Sequence, residues 1–357
     1  MKQALVVYAA YAQGKGVEII VKGPTILQKK SWKKYGLTLL GIILCLSNFG
    51  CKRVVHEPAA SSKEPAAANI TSYNTAREQE ALSFTQVPRR IIAYHQNNIE
   101  LLAFLEQENN IIGAQGRFLA TNDRESREQQ QLFTKIPYYG HYGINQEYAV
   151  ALEPDFIIGW PSSFSGRGSW SLGTTSFWHS RGVNCYITCQ PYFCEQEHME
   201  QELLHIKNIG KVFHKEDQVN QLLGELQGII TKVQNRRLDR PKVIVLDFYN
   251  TTVTAYGPKR LIGSMVDQVG GQLLDLSSRP SVEELLMSDA DIVLLLYKDQ
   301  RESHINQLFM KKRIFASMKA VQKQQVYSIP ITYVYNPGIK LKEALPLLRQ
   351  ALESVKE

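Results

Sequence analysis

EDQVNQLLGELQGIITKVQNRR, residues 216–237, decides how the rest of the chain is read. Its apolar positions Val219, Leu222, Leu223, Leu226, Ile229, Ile230 and Val233 form a single stripe at helical spacing. At the rise of an α-helix this stretch makes a rod of about 33 Å, and Pro241 ends it. On its N-terminal side, short apolar runs read as strands: Arg90–Tyr94 (RIIAY), Ile111–Ala114 (IIGA), Phe156–Trp160 (FIIGW) and Asn184–Ile187 (NCYI). A helical pattern, IELLAFL from Ile99 to Leu105, lies between the first two. On its C-terminal side a second series follows: Lys242–Asp247 (KVIVLD), Ile292–Leu296 (IVLLL), Gln325–Ile329 (QVYSI), then a closing helix from Lys340 to about Val355. Strands alternating with helices predict an α/β fold with mainly parallel sheets. The rod then divides the chain into two lobes connected by a single long α-helix. The expected organisation is a leader over 1–51, a flexible tether over 52–86, an N-terminal α/β lobe over 87–210, the connecting helix over 211–240 and a C-terminal α/β lobe over 241–357.

The formal charge of +7 invites a nucleic-acid reading until its location is examined. Lys2, Lys15, Lys22, Lys29, Lys30, Lys33 and Lys34 face Glu18 alone within residues 1–50, so that segment carries +6 and the remainder only +1. A near-neutral body excludes a basic nucleic-acid surface. The lysines instead precede an apolar run, YGLTLLGIILCL (35–46), which is shorter than the roughly 20 residues that span a bilayer. A basic segment followed by a short apolar one reads as a secretion signal. It ends at Ser47-Asn48-Phe49-Gly50-Cys51, which resembles a lipoprotein cleavage site with Cys51 as the acylated residue, although Asn48 stands where Leu is usual. The stretch from Met1 to Gln28 is long for such a signal and fits a misassigned start. After Cys51, a segment rich in Ala, Ser, Pro and Glu has no hydrophobic period and reads as the tether. Export permits disulfides; Cys185, Cys189 and Cys194 predict one bridge and one free thiol.

Two stretches echo one another across the rod: NQEYAVALEPDFII (145–158) and SVEELLMSDADIVL (281–294). Each opens on a capping residue, Asn145 or Ser281, with a glutamate two positions on, Glu147 or Glu283. An aspartate follows eight residues later, Asp155 or Asp291, and then an apolar strand. At these residues the chain resembles the periplasmic substrate-binding proteins of iron-siderophore and vitamin B12 type ABC importers. The likeness runs over about 87–355, through RRIIAYHQNNIELLAFLEQENNIIGAQ, INQEYAVALEPDFIIGW, RGVNCYI, IKNIGKVFHKEDQVNQLLGEL, TAYGPKRLIGSMVDQVGGQLL, SVEELLMSDADIVLL and VQKQQVYSIP. The resemblance implies two Rossmann-like lobes on one long helix, with a ligand cleft between them. It implies as partners an ABC permease with its ATPase, docked through Glu147 and Glu283. It further implies a chelated-metal, corrinoid or haem small molecule as ligand, a lipid anchor in the membrane, and a monomer.

Open α/β sheets bind ligands beyond the C-terminal ends of their strands, and those loops are aromatic here. Tyr94 and His95 lie at the end of the first strand, ahead of Gln96 and Asn97, and Tyr139 and Tyr142 stand in the loop before Asn145. Trp160 ends its strand and Trp178 lies in the loop beyond; Tyr249, Tyr256, Tyr333 and Tyr335 occupy equivalent places in the second half. Such a lining suits a large, flat or partly apolar ligand, and its few arginines argue against a highly anionic one. Enzyme motifs are missing: there is no phosphate loop and no nucleophile elbow. No catalytic residue, cofactor or resident metal is assigned. Two other readings compete. A direct metal-ion binder could use His95, His141 and His179, and a lipid-anchored surface interaction protein would have no transport role.

Overall fold

The computed structural model describes residues 68–116, 119, 123–140, 143–164, 171–188, 198–234, 240–249 and 252–355. The first half contains β1 (Ala68–Tyr73), β2 (Gln79–Phe84), β3 (Ile91–Tyr94), α1 (Gln96–Phe104), β4 (Ile111–Gln115), α2 (Asp123–Thr134), β5 (Tyr139–Gly140), α3 (Gln146–Ala151), β6 (Phe156–Gly159), α4 (Thr175–His179) and β7 (Asn184–Ile187). Two helices follow, α5 (Met199–Val212) and α6 (Glu216–Gln234). The second half contains β8 (Lys242–Tyr249), β9 (Thr252–Ala255), α7 (Leu261–Gln268), β10 (Gln272–Leu273), α8 (Val282–Met287), β11 (Ile292–Tyr297), α9 (Ile305–Met310), α10 (Lys319–Gln322), β12 (Val326–Pro330) and α11 (Leu341–Glu353).

The strands form two separate main sheets. In the first, β5-β4-β3-β6-β7 lie parallel; in the second, β10-β8-β11-β12 lie parallel, with β9 antiparallel on β8. Alternation along each central strand serves two cores at once. Ile91 and Ala93 face a central apolar cluster shared with α5, α6 and α11, whereas Ile92 and Tyr94 face a separate cluster on the sheet's other side. Val243 and Val245 join the same central cluster, and Ile244 and Leu246 point to a third. The apolar stripe of α6, with Val219, Leu222, Leu226 and Ile230 buried, lies within the shared core.

Two expectations change. Residues 68–84, read as part of a flexible tether, form an antiparallel hairpin of β1 and β2. Ala68, Ile70, Leu82 and Phe84 alternate with exposed polar residues and bury one face in the core. Asn74 closes the turn, its Oδ1 accepting from the N–H groups of Ala76 and Glu78. The connection between the sheets also contains two helices: α5 ends before His214, whose φ of 53° turns the chain into α6. Cys185 is a buried free thiol in β7; Cys51, Cys189 and Cys194 lie outside the described residues.

Candidate functional site

In the first sheet the chain winds outward from β3 through β4 and β5, then crosses back to β6 and β7. The reversal sets the ends of β3 and β6 side by side, the place where open α/β sheets leave a crevice. The two residues that follow these strands meet there. His95 stacks on Trp160 with ring centroids 3.5 Å apart and planes at 11°. Tyr335, from the segment after β12, meets Trp160 edge-on at 5.4 Å and 74°. His95 has φ 70° and ψ 144°, a conformation rare for a residue with a side chain. It is held by its N–H donating to the carbonyl of Gln115 at 2.6 Å, and by Nε2 at 3.1 Å from Ser163 Oγ. Burial pushes its imidazole down to about 3, so the ring is neutral at physiological pH.

Beside this stack lies a cavity of about 260 Å³. The first half of the chain supplies His95, Gln96, Asn97 and Trp160, and the second supplies Ile331, Thr332, Tyr335 and Asn336. Four buried polar atoms on its lining have no hydrogen-bond partner among the described residues: Asn97 Oδ1 and Nδ2, Trp160 Nε1 and Thr332 Oγ1. Each of these atoms has almost no accessible area, so they belong to the packing around the cavity and not to its open surface. Larger grooves adjoin it. One of about 560 Å³ shares Ile331 and Tyr335 and adds Tyr256, Lys259 and Arg260. The Arg260 guanidinium lies 5.8 Å from the Tyr256 ring centroid and 5.7 Å from that of Tyr335. Another, of about 600 Å³, shares Glu100 and Lys340 and is walled by Glu108, Glu125, Glu128 and Glu343. Volume alone does not choose among them; the position at the ends of β3 and β6 and the His95–Trp160–Tyr335 stack do.

Of the aromatic residues anticipated in the cleft, His95, Trp160 and Tyr335 come together, with Tyr256 in the adjoining groove. Tyr333 lines the acidic groove, and Tyr139 lines a further one of about 650 Å³ beside Lys298 and Asp299. The Tyr139 hydroxyl donates to the Gly116 carbonyl, and burial pushes it up to about 12. Two residues are not at the cleft. Tyr94 is the last residue of β3, and alternation sends it to the far face of the sheet. There its hydroxyl donates to the Ile144 carbonyl at 2.5 Å and accepts from the Ile144 N–H at 2.8 Å. Trp178 is 1% exposed in the core, its indole N–H donating to the Leu172 carbonyl at 2.7 Å. Tyr142 and the side chain of Tyr249 lie outside the described residues. Thr332 was missed: a single threonine in the sequence YSIPITY carries no signal before its surroundings are known.

The echoed stretches superpose in chemistry as well as in spacing. α3 and α8 each have six residues, capped by Asn145 Oδ1 accepting from Tyr148 N–H at 2.7 Å and by Ser281 Oγ accepting from Glu284 N–H at 3.1 Å. Each leads to a left-handed residue, Glu153 or Asp289. Asp155 then accepts from the Arg89 and Arg90 N–H groups, and Asp291 from that of Lys242, tying each helix to the first strand of its own sheet. Glu147 and Glu283 are both exposed. The Glu283 carboxyl is held below the usual range by its own backbone N–H and by the Ser281 hydroxyl. Among the described residues no group of three or more His, Cys, Asp or Glu is placed to hold a metal ion, and no helix is long and apolar enough to cross a membrane.

Fold and site together define an α/β binding protein with its pocket between two sheets, and the family follows from comparison. Residues 91–333 match the model of the periplasmic binding protein family, and the chain belongs to that family. A periplasmic binding protein from Veillonella parvula is similar in structure, with a TM-score of 0.71 and 24% identity over 80% of this chain and 92% of that one. An ABC-type Fe3+-hydroxamate transport protein from Saccharomonospora viridis gives a TM-score of 0.60 at 16% identity, covering 79% and 98%. The periplasmic vitamin B12 binding protein of Vibrio cholerae gives 0.56 at 15%, covering 75% and 98%. A search of curated proteins returns no match.

Proposed function

We propose that this chain is the substrate-binding lipoprotein of an ABC importer, taking up an iron chelate or a corrinoid- or haem-type ligand outside the cytoplasm and delivering it to the permease. The observation that carries the ligand site is the His95–Trp160–Tyr335 stack at a cavity lined from both halves of the chain. Similar folds in an Fe3+-hydroxamate transport system and in a vitamin B12 binding protein support the ligand class. In this reading the lobes span 87–210 and 241–357, and the protein works as a monomer. Cys51 carries the lipid, with the apolar run before it removed as a signal. The helical connection limits closure to a small tilt.

Glu147 and Glu283 are the docking groups: equivalent exposed acids on two equivalent helices suit a partner made of two similar subunits, with charge complementarity setting orientation. Three measurements test the proposal. Tryptophan fluorescence titrated with ferric siderophores, haemin and cyanocobalamin should give saturable quenching with at least one. The double variant Glu147→Ala, Glu283→Ala should abolish uptake in cells while leaving ligand affinity within about twofold; unimpaired uptake rejects the docking assignment. Cys51→Ser should move the protein from the membrane fraction to the soluble one.

A further inference from the structure

Resting on the importer reading, we infer that each docking point is a pair, an acid with an apolar anchor one turn further along its helix: Glu147 with Val150 on α3, and Glu283 with Met287 on α8. The occupant is the pair of membrane-spanning subunits of the importer, each offering a cation beside an apolar socket. Scattered exposed apolar side chains are ordinary on a protein surface; their concentration is not. Six large apolar residues are exposed among the described residues: Tyr148, Val150, Leu204, Met287, Leu308 and Ile314. Three of the six stand on α3 and α8, helices of only six residues each. Met287 is the most exposed, at 84%. Residues three or four apart share one face of a helix, so Val150 lies on the Glu147 side of α3 and Met287 on the Glu283 side of α8. The buried sides of the helices are served by Ala149 and Leu285, which enter the cores beneath. Packing therefore does not account for Val150 or Met287.

The charges select the occupant. A bilayer surface favours apolar residues flanked by lysine or arginine, whereas the residue paired with each anchor here is a carboxylate. A second copy docked helix to helix would set these acids against one another. A partner with a cation at each of two equivalent places meets neither penalty. In that contact the members of each pair act on different steps. The exposed acids orient the approach and chiefly change the association rate, while apolar side chains buried in the contact set how long it lasts. Methionine, flexible and enriched at interfaces, suits such a socket. The two pairs are not identical: Ala151 of α3 stands at the position of Met287, and its anchor is the smaller Val150 one residue earlier. Loss of the anchor on α8 should therefore weaken docking more than loss of the anchor on α3.

The test places the photo-reactive residue benzoylphenylalanine singly at Val150, Met287, Glu147 or Glu283 of the full chain in its native cells, with Leu204 of α5 as the exposed apolar control. Adducts are identified by mass spectrometry. Probes at Val150 and Met287 should both capture the same membrane-spanning protein, and the probe at Leu204 should not. Adding Met287→Ser should lower the yield from the Val150 probe about fivefold or more, with the melting temperature of the purified chain unchanged. If the Glu147 and Glu283 probes capture that protein while those at Val150 and Met287 do not, the inference is overturned and the importer reading stands. The same holds if Met287→Ser leaves the yield unchanged. Adducts with a second copy of this chain, or equal capture at Leu204, overturn the inference as well. If none of the four probes on α3 and α8 captures a membrane-spanning protein, both readings fall.

Discussion

His205 sits in α5, 3% exposed, with its ring 5.4 Å from that of Tyr186 and neither ring nitrogen bonded among the described residues. Burial pushes its imidazole down to about 3, as it does for His95. The consequence for stability has a definite sign. Below pH 6.5 the unfolded chain takes up a proton on each histidine that the folded chain refuses, so stability is lost as pH falls from 6.5 toward 3. Each such group adds about 1.4 kcal/mol per pH unit to the slope in that window. His205→Leu should therefore remove about that much from the slope of unfolding free energy between pH 6 and 4.5, measured by urea titration at several pH values. An unchanged slope would show that His205 finds a proton acceptor in the folded state. His95 belongs to the same scale: a residue with a side chain held at positive φ, in contact with the cavity, stores strain where the ligand is proposed to sit.

Between elements, small residues decide whether helices can meet. A Cβ on Gly210 of α5 would lie 2.4 Å from Val219 Cγ2 of α6. Helix propensity favours Ala over Gly by about 1 kcal/mol, yet overpacking a tight crossing costs about 1–3 kcal/mol. Gly210→Ala should therefore destabilise, read as a lower denaturation midpoint, despite its better propensity. The caps of α3 and α8 should act in the ordinary direction: Asn145→Ala and Ser281→Ala should each cost about 1 kcal/mol. What the sequence made legible is clearest at this scale. β3, β6, β8 and β11 could be read because they are buried on both faces and appear as unbroken apolar runs. The β1–β2 hairpin could not, because only one of its faces is buried and its polar half blends with the tether-like composition before it. Trp160 and Trp178 look alike in sequence, yet Trp160 follows β6 at the cleft and Trp178 lies in α4 with its ring in the core. The orphaned state of Asn97 and Thr332 exists only once every neighbour is in place.

Across the whole molecule, the two sheets are tied by charge as well as by the shared core. Lys340, from the turn after β12 that leads into α11, reaches α1 and α2 of the first half, where its ammonium meets Glu100 at 3.1 Å and Glu125. The three side chains are 11%, 11% and 17% exposed. Burial alone would lower the lysine's pKa, but the two carboxylates outweigh it and raise it, so it stays charged. A buried ion cluster of this kind adds little over an apolar replacement, whereas removing one partner exposes the full cost of the charges left behind. Lys340→Met should therefore destabilise by about 3–5 kcal/mol at pH 7, because Glu100 and Glu125 would then lose the ammonium they share. The deficit should shrink as pH falls toward 4, where carboxylates in general take up protons. Combining Lys340→Met with Glu100→Gln and Glu125→Gln should restore most of the loss at pH 7, since the three charges of the cluster are removed together. Unfolding free energies for the parent, single and triple variants at pH 7 and 4 check the sign of each step. A single variant as stable as the parent at pH 7 would mean that water reaches the seam and that the cluster does not tie the two halves.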